Sequence, residues 1–419
     1  MEHIEKIFSK RSAKNKVGKT SHNQKWAILS ISSIPLVMTL GNSMLIPVLP
    51  AMEKTLNITS FQSSMIITVY SLVAIILIPI AGYLSDHIGR KKVIIPSLII
   101  AGIGGLISGW ASWKLSDAYW LILLGRSLQG VGAAGAAPIV LPLVGDMFKS
   151  EDEVSSTLGI IETSNTFGKV LSPILGAFLA GIIWFLPFFA FPVFCAISIV
   201  LMFYLVKTPK SRDEPIPFKQ FFVNIKKIFK DNGKWLYAVF TIGVILMFIL
   251  FGVLFYLSDI LEKSYDIKNI KKGFLLAVPL GALCLASFTT GKKIKKDKIL
   301  MKRITFIGIV LLAGSIFALS FSKELWFMIA VFFLSGIGIG AGLPCLDALI
   351  TEGIEKEERG TITSIYSSMR FIGVAAGPPV IAILMKHNEN MIFYLLSGLS
   401  LIAAILAFFA IKPEKDSSK

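Results

Sequence analysis

The chain has 419 residues, 54% of them hydrophobic and only 16% charged, with a formal net charge of +16 and a mean hydropathy of +0.73. This composition excludes a water-soluble globular domain, in which the charged share is about a quarter and apolar runs are short. The basic excess does not point to nucleic acid either, because Lys and Arg are spread over the segments between long apolar runs and form no stripe or patch.

Apolar runs long enough to cross about 30 Å of hydrocarbon fall at 26–50, 62–84, 93–113, 119–147, 156–181, 186–206, 235–258, 270–291, 304–322, 325–350, 361–385 and 390–411. They predict an all-α integral membrane protein of about twelve transmembrane helices. With the N-terminus in the cytoplasm, the inner segments hold 31 Lys and Arg residues and the outer segments 8. The positive-inside rule then places both termini in the cytoplasm and the basic loops against anionic lipid of the cell membrane. The expected organisation is a basic tail (1–25), an N-terminal six-helix bundle (26–206), a linker (207–234), a C-terminal bundle (235–411) and a short tail (412–419). The basic, polar start and the long first run predict no cleavable signal peptide. Cys195, Cys284 and Cys345 lie in apolar runs without pairing or metal spacing and read as packing residues. There is no metal constellation, nucleotide loop or nucleophile triad, so neither a cofactor nor an enzyme is expected, and the chain is read as a monomer.

In chain order, the first run contains LGNSMLIPVLP, Leu40 to Pro50. Asn42 and Ser43 offer hydrogen bonds within the bilayer, and Pro47 and Pro50 are expected to bend or end the helix, since each removes a donor. Between the second and third runs lies GYLSDHIGRKK, Gly82 to Lys92. Gly82 and Gly89 permit tight turns and close approach, Asp86 can cap a helix or pair with a base, and Arg90 helps to hold the loop at the inner face. The fourth run carries LLGRSLQGVGAAGAAP, Leu123 to Pro138. A lone Arg126 there needs a partner or a wet cavity, with Gln129 as its orienting neighbour, and Gly130, Gly132 and Gly135 admit a close helix. Asp146 closes the run as an end cap, a loop contact or a functional group.

The fifth run, GIIETSNTFGKVLSPILGA from Gly159 to Ala177, departs furthest from a helix that only spans. Gly159, Gly168 and Gly176 let a neighbouring backbone come close. Pro173 bends the axis, and Glu162 and Lys169 put charge into hydrocarbon at a cost of a few kcal/mol each. Glu162, Thr166, Lys169 and Pro173 share one helical face. That face fits a moving polar pathway, and it also fits a tightly packed helix with one satisfied ion pair. Asn165 adds a further polar group. The second half then repeats the first: Gly168 and Pro173 align with Gly373 and Pro378 at an offset of 205, and Gly130 and Pro138 with Gly336 and Pro344 at 206. Two matched halves are implied. Asp347 and Arg370 are the charges of the second half, expected to pair and seal the inner side or else to be solvated at a helix end.

Several of these runs resemble motifs of the major facilitator superfamily, and the resemblance covers nearly the whole chain. Gly159, Gly168, Ser172, Pro173, Gly176 and Ala177 stand at the spacing of the antiporter motif of that family's fifth helix, with Ser172 and Ala177 replacing two glycines. Leu40 to Pro50 resembles the first-helix motif of its drug-exporter branch, without the carboxylate that several exporters carry there. Gly82 to Lys92 is similar to its signature loop, with His87 in place of the usual base. Arg126 to Ala134 resembles its fourth-helix motif.

The resemblance implies two pseudo-symmetric six-helix bundles that rock about a central site. It implies a conformational latch at Gly82, Asp86, Gly89 and Arg90, and proton coupling through Arg126. Glu162 is the first choice for the protonated group, modulated by Lys169 and Arg126, and Asp347 the second. Asn42, Gln129, Asn165 and Arg370 are candidates to line the cavity. The expected partners are a small-molecule substrate, protons and membrane lipid. The expected function is export of lipophilic drugs by proton antiport. A dedicated exporter of one endogenous compound, such as a siderophore, lipid or sugar, is the alternative within transporters. A membrane receptor or membrane enzyme is the alternative outside them.

Overall fold

A computed structural model describes residues 24–148, 150–206, 226, 229–230, 233–294, 297–354 and 356–411. The basic tail 1–25 up to its last two residues, nearly all of the linker 207–234 and the tail 412–419 lie outside the described residues.

Among the described residues, twelve helices are long and apolar enough to cross a membrane: α1 (Gln24–Leu56), α2 (Ser60–Ile88), α3 (Arg90–Lys114), α4 (Tyr119–Met147), α5 (Glu151–Ile182), α6 (Leu186–Leu205), α7 (Gly233–Lys263), α8 (Asn269–Ile294), α9 (Lys298–Ala318), α10 (Leu325–Gly353), α11 (Lys356–His387) and α12 (Glu389–Phe409). The chain is therefore a multi-pass membrane protein. Side chains such as Ile76, Trp120, Tyr204 and Phe321 point outward without a protein neighbour to cover them, as a surface solvated by lipid requires.

Helix ends are set by local polar chemistry. At the start of α2, Thr59 Oγ1 accepts from the Gln62 amide while Gln62 Oε1 accepts from the Thr59 amide. Gly89, with φ of 101°, makes the corner between α2 and α3 in a conformation that costs any side chain. The first span is interrupted at its prolines, as expected: the α-helix stops at Ser43 and a turn follows at residues 44–45. Pro47 and Pro50 sit at the starts of a 3-10 turn (Ile46–Val48) and of a further α segment (Leu49–Leu56), where a missing amide proton costs nothing. Asn57, left-handed at φ 51°, ends that last segment.

The glycines show why the two halves match. Gly130 of α4 lies against the Tyr70 carbonyl of α2, and Gly336 of α10 against the Pro279 carbonyl of α8. Gly132 meets α3 at Ser97, and Gly338 meets α9 at Gly308. Gly168 and Gly176 of α5 pack on α1 at Leu36 and Met44, and Gly373 and Gly377 of α11 pack on α7 at Val244 and Phe248. Each contact recurs six helices later, so the fold is two pseudo-symmetric six-helix bundles. The halves meet along α2 and α11, where Thr68 Oγ1 donates to the Ala375 carbonyl (2.7 Å) and Ser368 Oγ to the Ile75 carbonyl (2.6 Å). They meet again along α5 and α8, where Gly273 receives the Pro173 carbonyl.

Candidate functional site

The polar face of α5 is anchored to α1. Thr39 Oγ1 donates to Asn165 Oδ1 (2.6 Å), and Asn165 Nδ2 points at both carboxylate oxygens of Glu162 (3.4 Å each). Thr166 Oγ1 donates to the Glu162 carbonyl (2.8 Å), and Ser172 Oγ to the Gly168 carbonyl (2.5 Å). Glu162 is exposed and Lys169 half-buried. The pair does not form the satisfied ion bridge that a purely structural helix would use: the Lys169 ammonium makes no ion pair with a described residue. Instead Lys169 lies within electrostatic range of Glu162 on its own helix and of Arg370, Asp347 and Cys284 in the other half.

Asp347 and Arg370 pair at 3.2 Å, with side chains 39% and 20% exposed. Both belong to the second half, so their bridge joins α10 to α11 and does not close a gap between bundles. No hydrogen bond or ion pair among the described residues links α5 to either helix, yet the charges feel one another. Glu162 and Lys169 of α5 thus lie within electrostatic range of Asp347 of α10 and Arg370 of α11, across the boundary between the bundles.

Arg126 stands apart from that group. It is fully buried, and its guanidinium donates to the Ile66 carbonyl (2.8 Å), the Gly41 carbonyl (3.1 Å), Asn42 Oδ1 (2.9 Å) and Gln129 Oε1, while stacking over the Tyr70 ring. Its acceptors are all neutral, and they tie α1, α2 and α4 together. Asn42 and Gln129 are therefore occupied as its ligands. Gly159 also departs from expectation: among the described residues, no atom outside its own helix lies within 4 Å of where a side chain would begin. Only Gly168 and Gly176 are close-packing glycines, because α5 approaches α1 over that stretch and not at its first turns.

The loop between α2 and α3 is cross-braced within the first half. Arg90 pairs with Asp86 and with Asp146 of α4 (3.0 Å), and donates to Ser85 Oγ (2.7 Å). Gly82 faces Ser364 of α11 across the bundle boundary.

Sequence reasoning missed a second polar cluster, at the opposite end beside the α1–α2 loop. Lys263 of α7 pairs with Glu53 of α1 (2.8 Å) and Asp259 (2.5 Å), and Glu53 also accepts from Ser60 (3.0 Å) and Ser63 (2.6 Å). Lys272 of α8, 1% exposed, pairs with Glu262 (2.9 Å) and donates to the Pro47 carbonyl (2.8 Å). Lys54 lies 3.6 Å from Glu262, and Ser258 Oγ donates to the Ile46 carbonyl (2.7 Å). Asp266 and Lys268 of the next loop pair with each other, and the lysine holds that exposed carboxyl below its ordinary range. The available signal was three carboxylates, Glu53, Asp259 and Glu262, at the ends of apolar runs. The lysines beside them were read only as outer-face charge. Thr39 gave no signal, since a lone threonine in an apolar helix is common.

The profile described as "Major Facilitator Superfamily" matches residues 31–301 and 297–419. A bacillibactin exporter of Bacillus subtilis (strain 168) is 56% identical over 393 residues, covering 94% of this chain and 98% of that protein. Multidrug resistance protein 2 of the same bacterium is 24% identical over 408 residues, covering 96% and 98%. Among solved structures, a bacterial homologue of the human lysosomal transporter Spinster matches with a TM-score of 0.72 at 14% identity, over 93% of this chain and 97% of that one. That likeness speaks for the fold alone.

Proposed function

The chain belongs to the Major Facilitator Superfamily, and from that premise we propose that it exports one endogenous metabolite, bacillibactin or a close analogue, in exchange for protons. It is a membrane transporter of a small molecule and not an enzyme. The observation that carries the substrate is the end-to-end likeness to the bacillibactin exporter. Broad drug efflux draws its support only from far more distant relatives, so the expectation of a multidrug pump gives way to the dedicated exporter.

In this reading the basic α2–α3 end is cytoplasmic, both termini lie on that side, and the arrangement described above is open inward. Substrate enters the gap from the cytoplasm. Glu162 is the coupling carboxylate: it is exposed, oriented by Asn165 and Thr39, and close to Lys169, which has no ion pair among the described residues. When the gap faces outward, an external proton neutralises Glu162, and the transporter returns to release it inside. Asp347, held by Arg370, is the second acceptor. Arg126 positions α1 against α4 and keeps its charge throughout the cycle, with four of its five N–H donors committed to neutral acceptors.

The test is transport by purified protein in liposomes under an imposed pH gradient, with bacillibactin and a panel of lipophilic dyes offered separately. Bacillibactin movement accompanied by proton counterflow, with the dyes left behind, is the expected result. Dye movement without bacillibactin movement would return the function to drug efflux.

A further inference from the structure

The cluster beside the α1–α2 loop joins the two bundles through charge, and no part of the mechanism above uses it. Five contacts cross between the halves. They are Lys263 to Glu53 (2.8 Å), Lys263 to Ser60 (3.3 Å), Lys272 to the Pro47 carbonyl (2.8 Å), Lys54 to Glu262 (3.6 Å) and Ser258 to the Ile46 carbonyl (2.7 Å). An alternating-access transporter must break all five to open this end.

The partners that would remain afterwards show that the cluster is built to part. Glu53 would keep Ser60 and Ser63, both in its own half. Lys263 would keep Asp259, and Lys272 would keep Glu262, both within the second half. Lys54 would lose Glu262, but its side chain is 60% exposed and passes to water, so no buried charge is stranded, which is what makes separating most buried ion pairs so costly. A cluster serving only as glue would have no need of duplicate partners on each side.

Within the cluster, Glu53 is the only first-half carboxylate bound to a cation of the second half. The groups facing it are Lys54 on its own helix, the Ser60 and Ser63 hydroxyls of α2, Asp259, Glu262 and Lys263 of α7, and Lys272 of α8. Protonating it removes the ion pair to Lys263 while Lys263 stays neutralised by Asp259. Lys54 and Lys263, 60% and 39% exposed at their side chains, leave the cluster's edge open to the aqueous phase. We propose that Glu53 is a second proton-accepting residue of the transport cycle, and that its protonation from outside releases α1 from α7 and opens the α1–α2 end. The proposal rests on the alternating-access reading above. It separates the proton that opens the outer gate from the proton that Glu162 carries.

The test is a distance measurement by pulsed electron paramagnetic resonance on the full chain, with Cys195, Cys284 and Cys345 replaced and spin labels on cysteines at Thr55 and Ser264, both exposed. In the otherwise unaltered protein the distance should lengthen as the pH is lowered from about 7 to about 3.5, a window that spans the ordinary glutamate value of about 4.3. Glu53→Gln should raise the long-distance population roughly tenfold at the higher pH and abolish the response. Lys263→Gln should do the same, and it decides the matter if Glu53→Gln fails to fold. Glu162→Gln should leave the response intact. A pH response that survives in Glu53→Gln or Lys263→Gln, or that vanishes in Glu162→Gln, overturns the proposal. A fixed distance at every pH, alongside intact proton-driven export, overturns the gate and leaves the proposed function standing.

Discussion

A cation inside a membrane protein is tolerable only if its donors find acceptors or water, and Arg126 and Lys169 meet that demand in opposite ways. Arg126 spends its fork on four neutral acceptors from three helices. Lysine has three donors on a point charge and cannot reproduce that fork. Arg126→Lys should therefore fold with reduced stability, and Arg126→Ala should lose about 3 kcal/mol or more through stranded buried acceptors. Melting temperature and yield in detergent check this. An Arg126→Ala variant of undiminished stability that has lost only coupling would restore Arg126 to the proton path. Lys169 keeps its ammonium unpaired among the described residues, near Glu162 and Asp347, so its environment changes with the charge state of the gap. Glu162→Gln should keep normal abundance and lose at least 90% of proton-coupled export, about 1.4 kcal/mol in coupling. Thr39→Val, which frees Asn165 from α1, should reduce export severalfold with Glu162 intact. Both are read from initial transport rates at equal protein.

At the scale of the element, α5 separates two uses of glycine that look alike in sequence. A methyl group at Gly176 would collide with the Met44 carbonyl, whereas one at Gly159 would meet nothing beyond its own helix. Gly176→Ala should then cost about 1–3 kcal/mol through overpacking, while Gly159→Ala should be neutral or gain up to about 1 kcal/mol of helix propensity. Thermal unfolding in detergent orders the two, and equal effects would mean that α5 is not seated on α1 as described. The motif spacing alone cannot make this distinction, because it records which residues are small and not which neighbour arrives. The same limit applies to α1. Pro47 and Pro50 read as a bend or an end, and the helix does break before them, but the sequence does not say that new helical turns starting at the prolines carry the segment on to Leu56. The twelve spans were legible because each is a local apolar run. The shared face of Glu162, Thr166 and Lys169 was legible because it is a matter of helical period. The pairing of Glu53 with Lys263 joins residues 210 positions apart, and no period or local motif carries that information.

For the whole molecule, the contacts between the bundles are unevenly placed, and this sets which face each buried group can reach. Among the described residues, the ion pairs that bridge the halves all lie beside the α1–α2 loop. Among the described residues, the charges of the opposite end pair within their own halves, as Arg90 does with Asp146 and Asp347 with Arg370. Among the described residues, ion pairs thus tie the two halves together at one end and not at the other. A native reporter of that division exists. Cys284 is half-buried and an electrostatic neighbour of Lys169, whereas Cys195 and Cys345 are buried. A membrane-impermeant maleimide applied from the α2–α3 side should label Cys284 in unaltered protein and leave the other two unlabelled. From the α1–α2 side it should label Cys284 at a rate at least tenfold lower. Substrate that drives the bundles to the outward-open arrangement should invert that preference, since the same gap would then be reached from the other face. Mass spectrometry of labelled peptides from oriented vesicles reads both rates. Equal labelling from the two faces would mean that the clamp beside the α1–α2 loop does not close that end. The division between an open and a shut face would then have to be sought in another part of the α5–α8 or α2–α11 boundary.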